Sequence, residues 1–214
     1  MERALYFLLT FAEAAVGVFG IRMYEMPHYA VTQRLGDGVE IRRYDARTAA
    51  ETTVAGPSRQ RAAEEAFGRL FRYITGANAA SQTIAMTAPV ERSAAKGKSE
   101  MVAMTAPVQT QQGPDGGVTM RFFLPRAVER AAPQPTDPGV RIVTVPPETV
   151  AALRFSGVLS EEIAKAHAGR LLAALKKAGI ATVGAPYVLG YDAPFTIPLF
   201  RRNEVAVEVA APSG

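Results

Sequence analysis

The 214-residue chain predicts an α+β domain built as a pseudo-twofold repeat of strand-strand-helix-strand-strand. Its antiparallel half-sheets would join into one curved sheet or distorted barrel with two helices packed on it. Three observations predict this. Strand-like runs come in pairs, each pair leads into a segment of helical periodicity that ends at glycine, and the proline-rich passage Ala131 to Gly139 divides the first series from the second.

In chain order, the segment Tyr24 to Tyr29 leads into a strand at Val39 to Tyr44 behind the turn Gly36-Asp37-Gly38, and a second strand follows at Thr48 to Val54. Gly56-Pro57-Ser58 stops it and supplies an N-cap. Ala63, Ala66, Phe67, Leu70, Phe71 and Ile74 then recur at helical spacing up to Gly76, a natural residue to follow a helix. Met-Thr-Ala-Pro-Val occurs twice, at Met86 to Val90 and Met104 to Val108, in apolar runs of strand length with proline near the end, where a missing N–H costs least. These predict a hairpin whose arms are joined by a polar loop, Glu91 to Glu100, and followed by a strand at Val118 to Leu124. Past the divide come strands Val140 to Val145 and Thr149 to Phe155. A helix opened by Ser160-Glu161-Glu162 and ended by Gly179 follows, then strands near Pro186 to Tyr191 and Glu204 to Val209.

One domain over residues 23–210 is the size default, and about 180 residues bury roughly 70% of their unfolded surface. Residues 1–22 stand apart. Ala4 to Ile21 is interrupted by Thr10 and Glu13 alone among apolar or small side chains. It reads as a secretory signal with a small-x-small site at Ala12-Glu13-Ala14, as a membrane anchor in which Glu13 costs on the order of 3 kcal/mol, or as an amphipathic helix on a surface. The expected location is accordingly membrane-anchored, periplasmic or exported.

Composition excludes several chemistries. The chain has no cysteine, so disulfides, thiolate metal sites, cysteine nucleophiles and covalent c-type haem attachment fall away. Net charge is only +4 and the arginines are scattered, which argues against a nucleic-acid partner. Gly97-Lys98-Ser99 lacks the upstream glycine of a phosphate loop, Arg92 standing there. The two histidines, His28 and His167, are too far apart in sequence for a paired metal site, and no metal is expected. His167 continues the apolar line Ile163, Leu171, Leu175 and reads as a packed, hydrogen-bonded histidine facing the sheet or its rim.

The duplicated pentapeptide, Glu40-Ile41-Arg42-Arg43-Tyr44, Phe71-Arg72-Tyr73-Ile74-Thr75-Gly76-Ala77-Asn78, Gly190-Tyr191-Asp192-Ala193-Pro194-Phe195 and Arg201-Arg202-Asn203-Glu204-Val205 together resemble the SOUL haem-binding protein family, in its bacterial form. The resemblance runs from about Tyr29 to Val209. It implies a fold shared with gyrase-inhibitory-protein-like effector-binding domains, in which ligands sit in the groove between the halves. It also implies noncovalent binding of haem or another tetrapyrrole, for sequestration or transport, rather than catalysis.

Carried over by motif, the cofactor-binding set is Arg69, Phe71, Arg72, Met86, Met104, Tyr191 and Phe195. Arg72 falls where a relative carries a propionate-facing lysine, while Glu64 replaces another basic position and Arg43 replaces a histidine considered as an iron ligand in animal members. Arg69 and Arg72 read equally as the solvated face of their helix, and Met86 and Met104 as core filler. A different reading is a small-molecule hydrolase or effector-binding protein in which Glu204, half-buried beside Tyr191, has a raised pKa and acts as a general base; its alternative is a Glu204 paired with Arg201 or Arg202. A third is a membrane-tethered interaction protein without a small ligand.

Overall fold

The computed structural model describes residues 25–56, 58–84, 90–94, 117–192 and 196–210. Both expected long helices are present with the expected signals. Ser58 accepts a hydrogen bond from the Arg61 N–H at 3.3 Å to cap α1 (Arg59–Ile74), and Gly76 stands beyond its end at φ 119°. A single turn, α2 (Arg126–Glu129), was not expected. Ser160 caps α3 (Glu161–Lys177) by accepting from the Ile163 N–H at 3.2 Å, and Gly179 follows at φ 70°.

The strands are β1 (Tyr29–Arg34), β2 (Val39–Tyr44), β3 (Arg47–Val54), β4 (Val90–Ala94), β5 (Val118–Phe123), β6 (Val140–Val145), β7 (Glu148–Phe155), β8 (Thr182–Gly190) and β9 (Asn203–Val209). They form one antiparallel nine-stranded sheet in the order β1-β2-β7-β9-β8-β4-β5-β3-β6. Of the two sheet forms expected, the open one is realised, with β1 and β6 as its edges.

The repeat is visible in this order. β4-β5-β3 of the first half mirrors β8-β9-β7 of the second, and the halves meet along β4 and β8, where Val90 to Arg92 pair with Gly190 to Val188. The first strand of each half leaves it: β2 pairs with β7, and β6 with β3. Residues 39–54 and 140–155 are therefore two long arms running antiparallel in a single register, from Val39 opposite Leu153 through Tyr44 opposite Glu148 to Arg47 opposite Val145. Pro146 and Pro147, which have no N–H to offer, stand where pairing changes from one half to the other. Arg47 on β3 meets Glu148 on β7 at this crossing although their strands lie far apart in the sheet, so the sheet curls about that face.

Each helix covers its own half on one face. Leu70, Tyr73 and Ala66 of α1 pack with Val118, Met120 and Phe122; Leu171 and Leu175 of α3 pack with Leu153, Val205 and Val207. The opposite face buries Tyr44, Tyr191, Leu189 and Ala206, and separately Ala49, Phe123 and Val145.

Three departures from expectation have physical causes. β1 shows no buried face, so it carries no strand periodicity for sequence to reveal. β8 starts at Thr182, ahead of the expected Pro186, and its extra residues are exposed. β4 occupies the start of the expected polar loop: its Glu91 is buried against Arg121, which satisfies the charge that made the segment look solvated. The N-terminal segment 1–22, the second pentapeptide copy and all of the first except Val90 lie outside the described residues. Among the described residues no helix is long and apolar enough to cross a membrane.

Candidate functional site

Two places bring chemistry-bearing side chains together. The first is built on Glu204, which the alternation of β9 turns away from the helices and which is wholly buried. One carboxylate oxygen accepts from Arg42 Nη1 at 2.6 Å and from the Tyr191 hydroxyl at 2.8 Å. The other accepts from Arg42 Nη2 at 3.1 Å, Arg202 Nε at 2.9 Å and Arg202 Nη2 at 2.6 Å. Glu40 accepts from Arg42 Nη2 at 2.9 Å and Nε at 3.0 Å, and the guanidinium groups of Arg42 and Arg202 lie over the Tyr29 and Tyr191 rings. Two of the motif segments, one from β2 and one from β9, thus close on each other across β7.

This corrects the expectation of a raised pKa on Glu204. Burial alone would raise it, but the hydrogen bond and charge of Arg42, then of Arg202, outweigh burial and hold the carboxyl below its ordinary value. The Tyr191 phenol is pushed up by burial and by Glu204. A carboxylate with five donors on its two oxygens has no lone pair aimed at a substrate proton, so the cluster is a structural ion network rather than a base. The pairing with Arg202 is the one weighed from sequence; Arg42 joins from across the sheet.

The second place is a groove of about 520 Å³ on the helix face, over the junction of the halves. It exists because α1 and α3 each cover their own core and α3 turns small side chains, Ala164, Ala168 and Gly169, toward the strip between them. Leu172, Val118, Val188 and Val205 complete an apolar floor. Around it stand Arg59 and Arg92 with Lys165 and Glu161, Arg59 reaching Glu161 at 3.5 Å.

Arg92 makes no ion pair among the described residues, and its pKa is lowered by burial and then by Arg59, with Glu161 partly offsetting. At neutral pH it remains a charged guanidinium. Among the described residues lining the groove there is no histidine, methionine or cysteine. His167 sits elsewhere on α3, its ring stacked on Phe155 at 4.2 Å; the packing is as expected, but the hydrogen bond expected with it is not made at Nδ1, which is buried without a partner, and its pKa is lowered by burial and Arg170.

The α1 residues carried over by motif are placed apart from both sites. Arg69 is paired with Glu65 at 2.6 Å, Arg72 lies 4.0 Å from Asp137, and Phe71 is exposed while stacking on Phe67 at 6.0 Å. Tyr191 belongs to the Glu204 network, and Met86, Met104 and Phe195 lie outside the described residues. Asn78 of the same motif is structural, its buried amide bonding the Tyr73 and Gln82 carbonyls at 3.0 and 2.7 Å. Sequence reasoning missed Arg59 and Lys165 and read Arg92 as loop. The available signal was the Ala164, Ala168 spacing with Gly169, which leaves a helix face too small to fill its side of a core.

The family model described as SOUL heme-binding protein matches residues 24–208, nearly the whole described domain. The chain belongs to the SOUL heme-binding protein family. Among curated relatives of this SOUL chain is Heme-binding protein 1 of Sus scrofa, 28% identical over 151 residues, which span 67% of this chain and 69% of that protein. Among solved structures, the C-terminal domain of EcmrR superposes with a TM-score of 0.57 at 9% identity, covering 80% of this chain and 96% of that one. An uncharacterized conserved protein from Listeria innocua does so at 0.54 and 11% identity, covering 81% and 93%. These likenesses show that the SOUL chain has the effector-binding type of α+β fold.

Proposed function

We propose that the protein binds haem or a related tetrapyrrole noncovalently, with the macrocycle in the groove between α1 and α3. The observation that carries this is the groove itself: about 520 Å³ with a floor of aliphatic and small side chains, in a chain of the SOUL family. That volume falls within the roughly 300–1,000 Å³ of small-molecule sites. The groove fits such a ligand: Leu172, Val188 and Ala168 would meet the ring faces, and cations stand at the rim where carboxylates belong. Neither histidine lines it, so binding would rest on ring burial and charge, with haem retaining its own iron chemistry. A binding and carrier role suits this arrangement better than catalysis, because the buried Glu204 is fully engaged.

Titration of the full chain with haemin tests the reading. A saturable Soret shift at one equivalent is expected, abolished by Gly169→Trp. Gly169 lines the groove and a Cβ there meets nothing within 4 Å, so an indole at this position has room to project over the groove and obstruct it. A nonsaturating signal would make haem adventitious. Saturable binding lost in Arg72→Glu but untouched by Gly169→Trp would move the site to the exposed face of α1, where Phe71 and Arg72 stand together.

A further inference from the structure

We propose that Arg92, supported by Arg59 and Lys165, forms a carboxylate-recognising rim, that Glu161 is the groove's resident competitor, and that the groove therefore selects apolar ligands bearing carboxylates. This rests on the groove being the ligand site. Three cations and one carboxylate surround a cleft otherwise lined by apolar and small residues and Tyr187, and they come from three different elements: Arg59 from α1, Arg92 from β4, and Lys165 and Glu161 from α3.

Their states of engagement differ. Glu161 already bridges to Arg59 at 3.5 Å, tying the starts of the two helices across the groove. Arg92 is half-buried and no carboxylate is within ion-pair distance of it among the described residues, whereas Arg42, Arg47, Arg121 and Arg202, which are similarly or more deeply buried, all have one. A guanidinium withdrawn from water and unpaired is stabilised by an incoming anion, and its planar fork suits a carboxylate. Burial and the neighbouring Arg59 also act to lower its pKa, as expected for a cation short of negative charge. A ligand carboxylate at Arg59 would have to displace Glu161, which reduces affinity for any anionic ligand.

The experiment compares protoporphyrin IX, a dicarboxylate, with its dimethyl ester, by fluorescence titration of the full chain and of Arg92→Ala, Glu161→Gln and Gly169→Trp. In the parent the dicarboxylate is expected to bind more tightly than the ester. Arg92→Ala should weaken the dicarboxylate by about tenfold or more, the loss of a charge-assisted hydrogen bond, and leave the ester within about twofold. Glu161→Gln should tighten the dicarboxylate by about two- to fivefold, the scale of an exposed ion pair. If both ligands bind saturably, both are lost in Gly169→Trp, and neither responds to Arg92→Ala, the rim proposal is overturned while the groove remains the site. Saturable binding that survives Gly169→Trp, or none at all, overturns both.

Discussion

The guanidinium of Arg42 and the carboxylate of Glu204, 162 residues apart in sequence, meet at 2.6 Å with 3% and none of their side-chain surface exposed. Each lies on a strand beside β7, so the pair clamps β2 to β9 across it. Tyr191 and Arg202 complete the shell of donors around Glu204. Because both charges are already desolvated, removing Arg42 takes two of the five donors from a fully buried carboxylate and leaves Arg202 as its one remaining cation among the described residues.

Arg42→Ala is therefore expected to cost about 3–5 kcal/mol, the range for breaking a buried pair by deleting one partner. Arg34→Ala, whose side chain is 73% exposed beside Glu40, should cost no more than about 1 kcal/mol. Urea unfolding of the two variants measures the contrast. Equal midpoints would show that the buried network does not hold β2 in place.

The carboxylates give the stability a two-sided pH dependence. Glu204 and Glu51 have lowered pKa values, Glu51 because Arg141 and Arg121 outweigh its burial. Their stabilisation is present above the unfolded value near 4.5 and is lost as pH falls through the folded values. Glu91 and Glu148 are raised, chiefly by burial. The folded protein keeps their protons where the unfolded chain has released them, so stability falls as pH rises from about 4.5 through their folded values. Stability should thus rise as pH falls through the folded values of Glu91 and Glu148 toward about 4.5 and then collapse below the ordinary carboxylate range. Glu91→Gln should flatten the first limb and leave the acid collapse, which unfolding midpoints followed from neutral to about pH 4 would reveal.

Much of this architecture was legible because the local signals agree. Ser58 with Gly76, and Ser160 with Gly179, mark both helices, and the residues between them carry the right period. Strands with one buried face announced themselves; β1, with none, did not. What sequence cannot show is pairing across the sheet. The swap of β2 to β7 puts Arg42 against Glu204, and that contact makes the carboxylate, read from sequence either as a base or as the partner of a neighbouring arginine, an engaged anion. Arg92 was misread for a related reason: a short strand with Glu91 and Arg92 looks solvated unless Arg121 and the groove are known to face them.

The two faces of α1 should separate cleanly under substitution. Leu70 is fully buried among Val118, Met120 and Phe122, so Leu70→Ala should cost about 2–5 kcal/mol through lost burial and the cavity left behind. Phe71, 45% exposed, should cost less than half as much on conversion to Ala. Thermal or denaturant midpoints decide. A severe loss at Phe71 would mean that this ring packs against more than Phe67.

Gly76 and Gly169 should respond in opposite directions to the same change. Gly76 sits at φ 119°, where its backbone closes the end of α1, and an added Cβ would stand 3.8 Å from the Ser81 carbonyl oxygen. Space is adequate there, but the backbone conformation is one that alanine adopts only under strain. Gly76→Ala should therefore destabilise by about 1–3 kcal/mol. Gly169 is inside α3, at no positive φ, with open space around a built Cβ. Gly169→Ala removes backbone freedom from the unfolded chain and should stabilise by about 1 kcal/mol. For a chain of this size the corresponding shifts in Tm are about 2–4 °C per kcal/mol. Because Gly169 also lines the groove, its replacement by alanine should raise Tm while leaving room for a ligand, whereas tryptophan at the same position should keep the Tm and lose the ligand. Under the proposed function, a glycine that weakens its helix yet faces an open groove keeps that groove accessible to a ligand. If Gly169→Ala lowered Tm, the groove would be closed in solution and that account would fail.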